Sequence, residues 1–193
     1  MAVSITEGEP ANRIERNLSV AGRLTVGATI YLFLGPFFAY FYLRSLNSAH
    51  LWRPAHIHPP QTLGAVIVAL TVLSTVALQL AGRIGQGRSW KGFTALSLAC
   101  GLAAVAVQCV AYTQLGFGPL DGGYADVYLA WTGLTAIVCF ATVLWIETLV
   151  AWGLRDRAIA LPAVMLRLAP LSFYWAFLAG LAVIMWAVLY LVP

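Results

Sequence analysis

Side chains that could do chemistry are scarce in this chain, so each can be weighed singly. Glu147 is the one acidic residue inside a long apolar run. A carboxylate at membrane depth is a functional candidate by default. Glu147 is therefore a candidate buried carboxylate: proton handling is one role for it, and an interfacial position paired with Arg155 is the other. His50, His56 and His58 share a single polar, proline-rich loop. His56 and His58 could contact copper or zinc, but two ligands on such a loop make a weak site. A membrane cytochrome needs histidines on facing helices to hold haem, and no histidine falls in an apolar run. Cys100, Cys109 and Cys139 lie within apolar runs without CxxC spacing, where cysteine acts as a small hydrophobe. No nucleophile stands beside a base, and no glycine-rich stretch has the spacing of a phosphate loop. Gln108 and Tyr112 are four residues apart and share a helix face. With Gln79, they read as interhelical hydrogen-bonding groups. These residues predict no catalytic, cofactor-binding or metal site in the chain itself.

The elements that carry them are membrane spans. Of 193 residues, 61% are hydrophobic and only 9% charged, against about a quarter charged in a soluble domain. The net charge of +4 does not indicate nucleic acid, because the cations sit in short segments between apolar runs. Met1 to Asn17 is polar and lacks the basic start and apolar middle of a secretory signal, so the first span is expected to act as its own insertion signal. A spanning helix needs about 20 apolar residues. Five runs qualify: Val20 to Leu43, Leu63 to Ala81, Phe93 to Phe117, Val127 to Trp152 and Leu171 to Val192. The expected architecture is all-α, a polytopic bundle of five transmembrane helices. Residues 1–19 form a polar N-terminal segment and 20–193 one transmembrane domain.

Arg13, Arg16, Arg23, Arg83, Arg88, Lys91, Arg155, Arg157 and Arg167 all fall on one side of such a bundle, and only Arg44 and Arg53 on the other. The positive-inside rule then puts the N-terminus in the cytoplasm and the C-terminus outside. Pro36 should kink the first helix and free the carbonyl of Leu32, which a neighbouring helix would cover. Ala95, Ala99 and Ala103, and likewise Ala176 and Gly180, are spaced to let helices approach closely. Gly116, Gly118, Gly122 and Gly123 mark a turn around Pro119-Leu120-Asp121.

Short motifs recur along the spans in a fixed order. The first span ends Phe38-Ala39-Tyr40-Phe41-Tyr42-Leu43-Arg44, and Trp52-Arg53-Pro54 follows in the loop. Ser74-Thr75 lies in the second, and Gln108 with Tyr112 in the third. The fourth opens with Tyr124, Tyr128 and Thr132-Gly133. The fifth begins Tyr174-Trp175-Ala176-Phe177 and ends Leu189-Tyr190-Leu191. In this ordered set the chain resembles subunit III of the haem–copper oxidases, in the short five-helix form of bacterial cytochrome c and quinol oxidases. It departs from that family where ionisable groups are usual. Thr29 stands where the first helix carries a carboxylate, and Ala111 where the third is acidic. The run Thr132-Gly133-Leu134-Thr135-Ala136-Ile137-Val138 lacks two histidines, and Ala176 and Ala179 replace a histidine and an aspartate.

The resemblance implies a non-catalytic accessory subunit of a respiratory terminal oxidase in a bacterial inner membrane. It would stabilise the catalytic subunit I beside subunit II and bind phospholipid. Oxygen reduction to water and proton pumping would belong to the partner, which would hold the haem and copper. The missing ionisable groups argue against a proton-handling role here. Arg44, Trp52, Trp131 and Trp175 are the expected lipid or partner contacts, since cations and amphipathic rings favour the interfacial depth. Two alternatives stand beside this reading. One is the accessory subunit of a related complex such as a nitric oxide reductase. The other is a small stand-alone transporter, against which the spans offer neither a polar pathway nor an inverted repeat.

Overall fold

A computed structural model of the chain describes residues 11–47, 52–54, 56–84, 90–155 and 160–192. His50 and the acidic residues Glu7 and Glu9 lie outside them. The chain is all-helical among the described residues: α1 (Ala11–Ser45), α2 (Gln61–Ile84), α3 (Trp90–Thr113), α4 (Gly123–Arg155) and α5 (Ala160–Leu191). Each is long and apolar enough to cross a membrane. The chain is a multi-pass helical membrane protein.

The helices overrun the apolar runs. At 1.5 Å per residue, the 35 residues of α1 extend about 52 Å, well beyond a hydrocarbon core of about 30 Å. Hydropathy marks the part in lipid, whereas hydrogen bonding continues into the headgroup layer. So α1 begins at Ala11 rather than Val20, and residues 11–19 are helical with it. Likewise α5 starts at Ala160 rather than Leu171 and passes through Pro170. The helix α3 stops at Thr113, short of Phe117, because the expected turn intervenes. There the Gly118 amide donates to Asp121 Oδ2 at 2.6 Å and the Leu120 amide to Asp126 Oδ1 at 3.0 Å. Leu120 holds φ 78° at the tip of this turn.

The helix α5 is central, packing on α1, α2 and α4. The helix α3 closes the bundle against α2 and α4, and among the described helices α1 packs on α4 and α5. Two apolar clusters fill the interior. One, at the end where Trp52 packs, gathers Phe33, Tyr40, Trp52, Tyr124, Tyr128, Trp131 and Leu189. The other, at the opposite end, gathers Leu78, Val143, Ile146, Leu168, Leu171, Trp175 and Leu178.

The close-approach faces differ from those expected by small-residue spacing. Ala95, Ala99 and Gly180 are exposed, and Ala103 and Ala176 are only partly covered. The buried side of α3 carries Ser97, Cys100, Gly101, Ala104, Gln108 and Ala111 instead. Gly101 is the tight point: a Cβ there would come 2.8 Å from Val143 Cγ2. In a helix apolar all round, spacing offers several faces and hydropathy does not choose among them. Pro36 lies within an unbroken α1, and Leu32, one turn before it, is exposed, so no helix of this chain covers its side chain.

Candidate functional site

The polar groups of the bundle are organised into four places, each built from residues on different helices. The first is an aromatic cluster at the loop end. The Trp52 amide donates to Asn47 Oδ1 at 3.1 Å, and the Trp52 carbonyl accepts from the Tyr124 amide at 2.9 Å. These bonds fix the loop across the start of α4. The Trp52 ring then lies edge-on to Tyr40 and Tyr124, with centroids 5.1 and 5.8 Å apart, and Tyr40 also meets Trp131 at 6.4 Å. Such edge-to-face pairs are favoured by the ring quadrupole. The Arg53 guanidinium sits 4.8 Å over the Tyr124 ring, and its Nε donates to the Ile57 carbonyl at 3.2 Å.

The two tyrosines cap α5. The Tyr124 hydroxyl donates to the Leu189 carbonyl at 2.8 Å, and the Tyr40 hydroxyl donates to the Val192 carbonyl. The last carbonyls of any helix lack helical donors, and in a membrane no water replaces them. Below the caps, Tyr128 and Tyr190 share a hydrogen bond at 3.0 Å, and the Tyr190 ring fills the space that a side chain at Gly64 of α2 would need.

The second place is a hydroxyl node joining α2, α3 and α5. Trp175 Nε1 donates to Ser74 Oγ at 3.0 Å, and Ser74 Oγ donates to the Ser97 carbonyl at 2.7 Å. The Ser97 hydroxyl, 3.1 Å from Ser74 Oγ, completes the set as a second donor to it. All three side chains are buried. The third and fourth places are single pairs, one linking α1 to α5 and the other α3 to α4. Thr29 Oγ1 donates to the Thr25 carbonyl, so the Tyr174 hydroxyl, 3.0 Å away, is the donor to Thr29. The Tyr112 hydroxyl donates to Thr132 Oγ1 at 2.8 Å.

Three of the expected lipid or partner contacts are corrected by this arrangement. Trp131 and Trp175 are each 1% exposed, and Trp52 is buried as well, so none offers a surface to lipid or to another chain. The rings were placed by their preference for interfacial depth, but depth does not decide whether a ring points outward. Arg44, half-buried at the end of α1, stays near the surface. Glu147 is also corrected: it is exposed on α4 and is not a buried carboxylate of this bundle. The side chain of Arg155, its expected partner, lies outside the described residues. His56 and His58 are exposed in the loop. Among the described residues, no group of three or more His, Cys, Asp or Glu side chains is placed to hold a metal ion.

Tyr112 makes the interhelical bond expected of it, whereas Gln108 does not. The Gln108 side chain is buried at 6% exposure and its Nε2 has no hydrogen-bond partner. It faces a small cavity of about 20 Å³, lined also by Thr71, Thr135 and Met185. The caps by Tyr40 and Tyr124, and the role of Ser97, were missed by sequence reasoning. Their signal lay in hydroxyls recurring near helix ends and on one helix side, which becomes specific only once neighbours are known. The fold and these contacts define a five-helix membrane bundle whose buried polar groups bind its helices to one another. No protein-family model and no curated protein matches the chain.

Proposed function

We propose that this chain is a non-catalytic accessory subunit, of the subunit III type, of a respiratory haem–copper terminal oxidase. In this reading it lies in a bacterial inner membrane with its N-terminus in the cytoplasm, and it stabilises a catalytic partner that holds the haem and copper. The ordered motif set supports it, because those motifs supply the residues that lock the bundle: Tyr40, Trp52, Ser74, Tyr112, Tyr124, Tyr128, Trp175 and Tyr190.

The observation that carries a partner is on α1. Tyr31 lies at the middle of the apolar run and is 80% exposed, with Leu24 and Phe38 exposed on the same side. A phenol hydroxyl in hydrocarbon has nothing to bond to, and leaving it so is costly. A second membrane protein over this face would supply the acceptor. The positions where the resembled family carries ionisable groups are all neutral here, and most are interior. Thr29, Ala111 and Ala179 are all buried, and Thr29 is spent on Tyr174. The proposed role is therefore that of a scaffold rather than a proton path.

Purification of the tagged full-length chain in mild detergent, followed by an optical spectrum and an oxygen-uptake assay, tests the proposal. Haem bands and oxygen consumption co-eluting with the chain support it. Nitric oxide consumption without oxygen uptake would move the chain to the related reductase complex.

A further inference from the structure

Glu147 is exposed, yet it lies within the apolar depth of the bundle. The helices α3 and α4 run antiparallel, since Tyr112 bonds Thr132 and Gly101 meets Val143. Gly101 stands halfway along the 24 residues of α3, so Val143 lies near the middle of the span. Glu147 follows Val143 by one turn, about 6 Å along the axis, whereas the hydrocarbon core extends about 15 Å from its middle. In the same register Glu147 falls level with Ser97. It stands on the flank of α4 beside α3, next to the exposed Ala95 and Ala99 of that helix and the exposed Phe140 and Leu144 of its own. A charged side chain at such depth ordinarily faces the bundle interior or a water-filled cavity. This one faces out.

The cations of the chain stand elsewhere. Lys91 lies six residues before Ser97, about 9 Å nearer the helix ends. Arg167 is held over the Trp152 ring, 4.5 Å from its centroid. Arg155 follows Glu147 by eight residues, about 12 Å along the axis and about 80° round it. A cation at a helix end is drawn outward to the headgroups rather than back into hydrocarbon. A lipid does not fit either, because its headgroup charge stays outside the hydrocarbon core.

We propose that the α3–α4 flank around Glu147 is a docking surface for a transmembrane helix of a different protein, and that this helix carries a lysine or arginine at the depth of Glu147. The exposed alanines of α3 let the incoming backbone approach closely. Phe140 and Leu144 pack against its apolar residues. The carboxylate and the cation pair in a low dielectric, where either alone would be costly. This surface is separate from Tyr31 on α1, and it stands whether or not the partner is an oxidase.

The test places a photo-crosslinking benzoylphenylalanine at Leu144, one turn from Glu147, in the tagged full-length chain in its native membrane. Illumination should give an adduct with one other protein. Peptide mapping by mass spectrometry should place it in a transmembrane segment that holds a lysine or arginine. Glu147→Gln keeps the shape and loses the charge, and should lower the adduct yield by about tenfold or more, as for loss of one member of a buried charge pair. Glu147→Lys should abolish the adduct, and exchanging the mapped cation for glutamate should restore it in that background. Glu147 is exposed, so its variants keep the bundle, which size-exclusion elution checks. No protein adduct, an adduct with a second copy of this chain, a mapped segment without a basic residue, an undiminished yield in Glu147→Gln, or a charge exchange without rescue would each overturn the proposal. A charge-dependent adduct with a protein that holds no haem would uphold the docking surface and count against the oxidase reading.

Discussion

The hydroxyl of Tyr124, in the first turn of α4, donates to the Leu189 carbonyl at the end of α5. One side chain thus closes one helix with the start of another. Tyr124→Phe keeps the ring, and with it the contacts to Trp52 and Arg53, but leaves the carbonyl without a donor. We expect a loss of about 0.5–2 kcal/mol in detergent unfolding, the range for interhelical bonds in membranes and for an orphaned carbonyl. No change would mean that another donor takes over the cap.

Ser74 should couple energetically to Trp175. Ser74→Ala leaves the Trp175 indole N–H buried and unpaired, and Trp175→Phe removes that donor. A double-mutant cycle is expected to give a coupling of about 0.6–1.7 kcal/mol. Strictly additive losses would dismiss the node as an energetic unit. Trp175→Ala should cost far more, about 3–5 kcal/mol, because it empties the core of the second cluster.

How far these residues were legible differs between them. The five spans follow from composition, because lipid demands long apolar runs, and the turn at Pro119-Leu120-Asp121 follows from its glycines. The facing of the helices does not. Trp131 and Trp175 have the residue type of interfacial rings, yet their neighbours turn them inward. The helices α4 and α5 are apolar on every side, so no stripe tells which face is core. Ser74 and Trp175 could be singled out by resemblance, but the third member of their node, Ser97, could not. Pro170 shows the same limit from the other direction. The apolar run gives a span from Leu171, while the helix runs back to Ala160, and Val164 and Leu168 ahead of Leu171 are buried in the bundle.

Gly101 should tolerate no larger side chain. Gly101→Ala places a methyl 2.8 Å from Val143 Cγ2, and Val143 is β-branched and fully buried. Overpacking of this kind costs about 1–3 kcal/mol. The second substitution Val143→Ala should recover part of it in thermal unfolding, whereas failure to recover would place the strain elsewhere.

Gln108 should be dispensable for the fold. Its Nε2 is buried without a geometric hydrogen-bond partner, so that end of the amide is desolvated without compensation. Gln108→Leu is expected to leave stability unchanged or raise it by about 1 kcal/mol. A clear loss would show that a water in the adjoining cavity holds the amide, which a space of about 20 Å³ can accommodate.

If this bundle serves a catalytic partner, the two should leave the membrane together. The full-length tagged chain is isolated from its native membrane in mild detergent, and the eluate is examined by reduced-minus-oxidised spectroscopy and oxygen uptake. Haem bands are expected in constant ratio to the chain across the elution peak, with cyanide-sensitive oxygen consumption in the same fractions. A colourless protein eluting alone, intact and folded, would contradict it.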